Sequence, residues 1–186
     1  VLDLDNTLWG GIVGEDGFNG IKLSLAGPGA GFVAFQQALL DLHNKGVILA
    51  INSRNNYEDA IRVIRTHPNM ILRENNFAAA RINWNDKASN LKELAKEINI
   101  GLDSMVFLDD DPVNRALVKA ILSEVETPEM PSNPSDYTKF LIGLPYFDLA
   151  ALTDEDKMRG NFYTTERLRR ESEKSFNNQK EFLKSL

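Results

Sequence analysis

The chain begins VLDLDNTLWGG, where three aliphatic residues alternate with Asp3 and Asp5. In an extended strand residues i and i+2 share a face, so both carboxylates point to one side, where a sheet ordinarily buries apolar groups. Adjacent acids repel each other and resist desolvation. A fold that accepts this strand must offset its charge, and a bound cation does so.

The rest of the chain shows what kind of sheet receives the strand. Residues 1 to 5 read as a buried strand, and GPGAGFVAFQQALLDLHNKG as a helix from about Gly29 to Lys45 that stops at Gly46. VILAIN is a second buried strand, and Asn55 or Asn56 can cap a helix over Tyr57 to Thr66. MILR reads as a short strand, and DKASNLKELAKEIN as an amphipathic helix starting near Asp86. SMVFLDD is the third long strand. Pro112 suits the first turn of a helix over PVNRALVKAILS, and EVETPEM adds a short edge strand. Strands alternating with helices predict an α/β fold with a parallel sheet and helices on both faces. A chain of 186 residues, 42% hydrophobic, can bury the core of one such domain, expected over residues 1–150. Residues 151–186 are polar and read as a helical linker or docking segment, in which ERLRRESEK forms a solvated face.

In an open parallel sheet, ligands bind beyond the carboxyl ends of the strands. The sequence puts Asp3, Asp5 and Thr7 there after the first strand, and Ser53, Arg54 and Asn55 after the second. Lys87 arrives at a helix start, and Asp109, Asp110 and Asp111 follow the third long strand, all on one rim. Acids from two strands form a hard-oxygen site suited to Mg²⁺. A carboxylate is also a nucleophile able to form an aspartyl-phosphate. Lys87 and the cation can offset phosphate charge while the Ser53 hydroxyl holds the transferring group, and Asp5 is placed to protonate the leaving oxygen and then activate water. Thr7, Ser53, Arg54, Asn55 and Lys87 are the expected substrate-binding set. Asp111 suits either a helix N-terminus or a site carboxylate. His43 and His67 lie in polar helix-end contexts, read as solvated, and take no role.

These motifs in this order resemble the haloacid dehalogenase superfamily, whose D-x-D-x-T motif is DLDNT here. The longer phrases LDLDNTLWGG, NSRNN, FAAARINWNDKASN and LDSMVFLDDDPVNR are similar to the subfamily IIIC phosphatases, the FkbH-like group. The resemblance implies a Rossmannoid sheet with a small flap after strand one and no large cap. It implies that Asp3 is the nucleophile and a Mg²⁺ ligand, and that Asp5 is the acid/base and ligates through its backbone carbonyl. Ser53 would bind phosphate, Lys87 would stabilise nucleophile and phosphate, and Asp109 would ligate Mg²⁺ with Asp110 in support. Trp9 and the glycines of WGGIVGEDGFNG are expected to form a flap over the site or a β-hairpin packed on the sheet, and the two readings are compatible.

A net charge of −6 disfavours a nucleic-acid partner, and no apolar run is long enough for a membrane span. The absence of cysteine excludes disulfides, thiolate metal sites and a cysteine nucleophile, and suits a reducing compartment, so a cytoplasmic location is expected. The start inside an apolar run leads us to expect a longer protein with flanking domains. The expected activity is a Mg²⁺-dependent phosphatase or phosphotransferase acting on a phosphorylated small molecule or a phosphorylated group on a carrier protein. The FkbH-like resemblance implies a second activity, transfer of a glyceryl group onto an acyl carrier protein. Many of those relatives carry Cys just before the second-strand Ser; this chain has Asn52 there, and an amide cannot form a thioester. A phospho-accepting receiver also carries acids, a hydroxyl and a Lys on an α/β sheet, but places its acceptor Asp on a middle strand.

Overall fold

The computed structural model describes residues 1–147. The segment read as a linker or docking helix, 151–186, lies outside the described residues. Two strands, β1 (Leu49–Ser53) and β2 (Phe77–Ile82), pair in parallel with Ile51 opposite Ala80 and Ser53 opposite Ile82. On the other side of β1 the N-terminal segment joins through a parallel bridge from Leu2 to Ile51, and Leu2 bridges Leu108 in turn. Val106 bridges Glu126 at the far edge. The acid-bearing segment is thus central, with Leu2 N donating to Ala50 O at 2.8 Å and Asp3 N to Leu108 O at 2.9 Å.

Burial on both sides of this sheet follows from the pleat, since successive residues face opposite ways. Leu49 and Ile51 enter one core, with Phe35 and Leu39 of α2 (Ala30–Asn44) and the stripe Ala60, Ile61, Val63 and Ile64 of α3 (Tyr57–Thr66). Ala50 faces the other core, with Leu91 and Leu94 of α4 (Lys87–Ile98) and Val118 of α5 (Pro112–Ile121). The predicted α/β class, a parallel sheet with helices on both faces, is the observed one. Helix starts follow local chemistry: Asp86 accepts from Ser89 N at 2.8 Å ahead of α4, and Asp111 from Val113 N at 2.8 Å ahead of α5. Asp111 therefore serves as an N-cap.

MILR is not a strand, and β2 lies a few residues later, in FAAARI. The backbone N–H groups of Ile71 and Leu72 donate to Gln36 Oε1, at 2.8 and 3.1 Å, so a side chain from α2 takes the place of a ladder while Met70 and Leu72 stay buried. Three alanines hid β2, because alanine has little strand preference of its own; Ala78 and Ala79 pack in the core beneath α4 and Ala80 against the opposite core. His43 and His67 are buried, contrary to their reading as solvated: His43 Nδ1 lies 3.3 Å from Val47 O, and His67 packs against Phe18.

The connection after the first segment is also clarified. Gly10 and Lys22 form an antiparallel bridge, with the short helix α1 (Val13–Asp16) between them. Gly11 has φ +93°, and a Cβ there would lie 2.4 Å from Asp16 Oδ2, so the turn requires glycine. Trp9 is wholly buried and belongs to the core, not to a flap. The last helix, α6 (Tyr137–Ile142), sends Tyr137 to the same region, its hydroxyl donating to Asn6 O at 3.0 Å.

Candidate active site

The three carboxyl ends of the central segments converge, and Lys87 reaches them from the first position of α4. Its side chain is only 1% exposed, and a lysine is buried this fully only when paired. Its ammonium donates to Asp3 Oδ1 and, at 2.7 Å, to Asn52 O, and forms an ion pair with Asp109 Oδ2 at 3.0 Å. The aromatic face of Phe107 lies 5.6 Å from the same nitrogen.

Asp3, Asp109 and Asp110 each place one carboxylate oxygen within 4.8 Å of the others. Burial pushes the Asp3 carboxyl up to about 7, with the pull of Lys87 opposing and repulsion from Asp109 adding. Burial and then the Asp109 charge push Asp110 up to about 6. One ammonium does not neutralise three acids, and the donor set is oxygen alone, which fits a hard divalent cation. Asp109 is held from behind: Asp111 N donates to its Oδ1 at 2.9 Å, and Asn114 Nδ2 lies 3.3 Å from both oxygens. Arg115 donates to the main-chain carbonyls of Asp109 and Asp110, each at 2.7 Å.

Asp5 stands apart from this cluster. Its Oδ1 accepts from Trp9 Nε1 at 2.8 Å and Val13 N at 3.1 Å, and its Oδ2 from Asn55 Nδ2 at 2.8 Å. Burial raises its pKa against these donors. All three favour the ionised form and oppose the effect of burial. Asn6 makes this placement possible by adopting φ 54°, a left-handed turn that Asn tolerates, and its Oδ1 accepts from Gly11 N at 2.8 Å.

Thr7 Oγ1 and Ser53 Oγ are buried with no hydrogen-bond partner among the described residues. Buried hydroxyls left unpaired are costly and rare, and these two follow the first segment and end β1 at the same edge as Asp3. Arg54 is exposed at the rim, its Nε 3.5 Å from Asn85 O. The structure thus groups Asp3, Lys87, Asp109 and Asp110, sets Asp5 and Asn55 beside them as a bonded pair, and leaves Arg54 outside the buried cluster. Sequence reasoning did not single out Asn90, Asn114 or Arg115. Helical spacing carried their signal: Asn90 is three residues after Lys87, and Asn114 and Arg115 lie in the first turns after the acid run.

No protein-family model matches the chain, and no curated protein matches it. Among solved structures, the chain is similar to the N-terminal part of the protein BF1531 from Bacteroides fragilis, a crystal structure containing a phosphatase domain complexed with Mg. The two are 41% identical with a TM-score of 0.78 over 81% of this chain. The match spans 40% of that chain.

Proposed function

We propose that this chain is a Mg²⁺-dependent phosphatase of the haloacid dehalogenase superfamily, subfamily IIIC and FkbH-like, working through an aspartyl-phosphate on Asp3. The observation that carries the proposal is the buried Asp3–Lys87–Asp109 cluster with Asp110 beside it and two unpaired hydroxyls at its edge. Its likeness to a Mg-bound phosphatase domain supports the same reading. Asp3, Asp109 and Asp110, with the Asp5 main-chain carbonyl, would hold the cation. When bound, Mg²⁺ offsets the charge that these acids and the phosphate oxygens bring together.

The chain's own residues supply the rest. An Asp3 carboxylate oxygen attacks phosphorus while the bond to the leaving oxygen breaks, and Asp5 gives that oxygen its proton. Water then attacks the phosphorus of the acyl phosphate, Asp5 takes the water's proton, and inorganic phosphate leaves with Asp3 restored. Lys87 balances charge on Asp3 and on the phosphate, and Ser53 and Thr7 hydroxyls donate to its oxygens. Arg54 and Asn55 border the leaving group, and the substrate is a phosphorylated small molecule or a phosphorylated group on a carrier protein such as an acyl carrier protein. Among the described residues no helix is long and apolar enough to cross a membrane. We place the reaction in the cytoplasm.

Steady release of phosphate from an aryl phosphate with Mg²⁺, and none with a chelator, is the expected result. A single stoichiometric burst without turnover would assign the chain to phospho-accepting switches instead. An enzyme-bound thioester needs a thiol that this chain lacks, and the Asn52 amide is buried beneath α4, so acyl transfer by this chain would go directly to a carrier thiol. Incubation with a glyceryl phosphate donor should therefore leave no thioester-linked adduct in the intact-protein mass spectrum. An adduct that is stable at neutral pH and maps away from Asp3 would show a group-transfer site missed here.

A further inference from the structure

We propose that Asn52 is the positioning residue for Lys87, holding the ammonium in register through the whole reaction cycle; the proposal rests on the phosphatase reading of the site. Lys87 has three partners at its ammonium, and two of them, Asp3 and Asp109, are the groups whose charge changes hands when a phosphate or cation enters. The third is the main-chain carbonyl of Asn52, which is neutral and takes no part in the chemistry. It is also fixed by the sheet, since Asn52 N donates to Leu2 O at 2.9 Å.

The side chain of the same residue closes a second link. Asn52 Nδ2 donates to the main-chain carbonyl of Lys87 at 2.9 Å, so one residue of β1 grips Lys87 at both its ammonium and its backbone. A lysine stem has four flexible carbons and gives up much rotamer entropy when held, which makes a two-point grip effective. Asn52 is gripped in turn: its Oδ1 accepts from Asn90 Nδ2 at 3.0 Å, and Asn90 also donates to Asn83 Oδ1 at 3.0 Å. Asn52 and Asn90 are wholly buried. An apolar residue of similar size would fill this space without needing partners, yet amides from the loop after β2, from α4 and from β1 form a chain that ends on Lys87. A network satisfied this fully specifies one arrangement, and here the arrangement sets the height of Lys87 above Asp3.

Plain glue between sheet and helix would change stability alone, so the test reads Lys87 directly. In the metal-free full chain, acylation by an amine-reactive reagent is measured at each lysine by peptide mass spectrometry. In Asn52→Ala, Lys87 labelling should rise about tenfold over wild type while other lysines stay unchanged, and kcat on an aryl phosphate should fall about 10²-fold with KM within about threefold. A folded Asn52→Ala protein that protects Lys87 as wild type does, or that keeps its kcat, overturns the proposal. If that variant does not fold, Asn83→Ala removes only the outer amide, which is half-buried, and should raise Lys87 labelling to a smaller degree; unchanged labelling there overturns it equally. Wild-type protein with no turnover at all would refute the phosphatase reading, and the labelling result would still decide the role of Asn52.

Discussion

Asp3→Asn should lower Mg²⁺-dependent phosphate release by about 10³-fold or more while the protein stays folded. Asparagine keeps the size of the side chain and an oxygen to accept from Lys87, but it cannot attack phosphorus. Stability is expected to survive because the substitution also removes one of three crowded acids; burial, with repulsion from Asp109 adding, pushes Asp3 up to about 7. Phosphate release by purified variant and wild type under equal Mg²⁺ gives the comparison, with thermal unfolding as the control. Turnover near wild type in a folded variant would move the nucleophile elsewhere, with Asp109 the next candidate by position.

Lys87→Met should have the largest effect on stability. Removing one partner of a buried ion pair leaves an uncompensated charge, which costs about 3–5 kcal/mol. The cost should depend on pH with a definite sign. Asp3 is already raised in the folded state, and losing the pull of Lys87 raises it further. A raised folded-state pKa contributes stability below the unfolded value that is lost as pH rises through the folded one, so the variant should be least stable above neutrality. Denaturant unfolding in chelator at about pH 5 and about pH 8 should show the smaller loss at the lower pH, where Asp3 carries a proton. Added Mg²⁺ should recover part of the loss at the higher pH by replacing one cation with another. An equal loss at both pH values with no response to Mg²⁺ would mean that Lys87 does not balance these acids.

What the sequence by itself determined is the order of the parts. Strand-helix alternation established the parallel sheet, the caps at Asp86 and Asp111 marked two helix starts, and the 10-residue helix α3 lies over the residues its apolar stripe predicts. The acids and Lys87 were legible because each follows a strand or opens a helix at the edge where such sheets bind ligands. Local signals of this kind survive folding because they depend on neighbours in the chain. Tertiary structure alone decided the rest. Gln36, an unremarked helix residue, satisfies the backbone at Ile71 and Leu72, and thereby turns an apparent strand into a buried loop. Of the flap and packed-hairpin readings, tertiary structure decided that Trp9 itself lies in the core, where its indole N–H donates to Asp5. Asn55, an apparent helix cap, was drawn to the same carboxylate. Asn52 stood out in sequence only as an amide where relatives carry Cys, and Asn90 only by its spacing from Lys87, since an amide acquires its role only from the donors and acceptors that distant segments bring within about 3 Å of it.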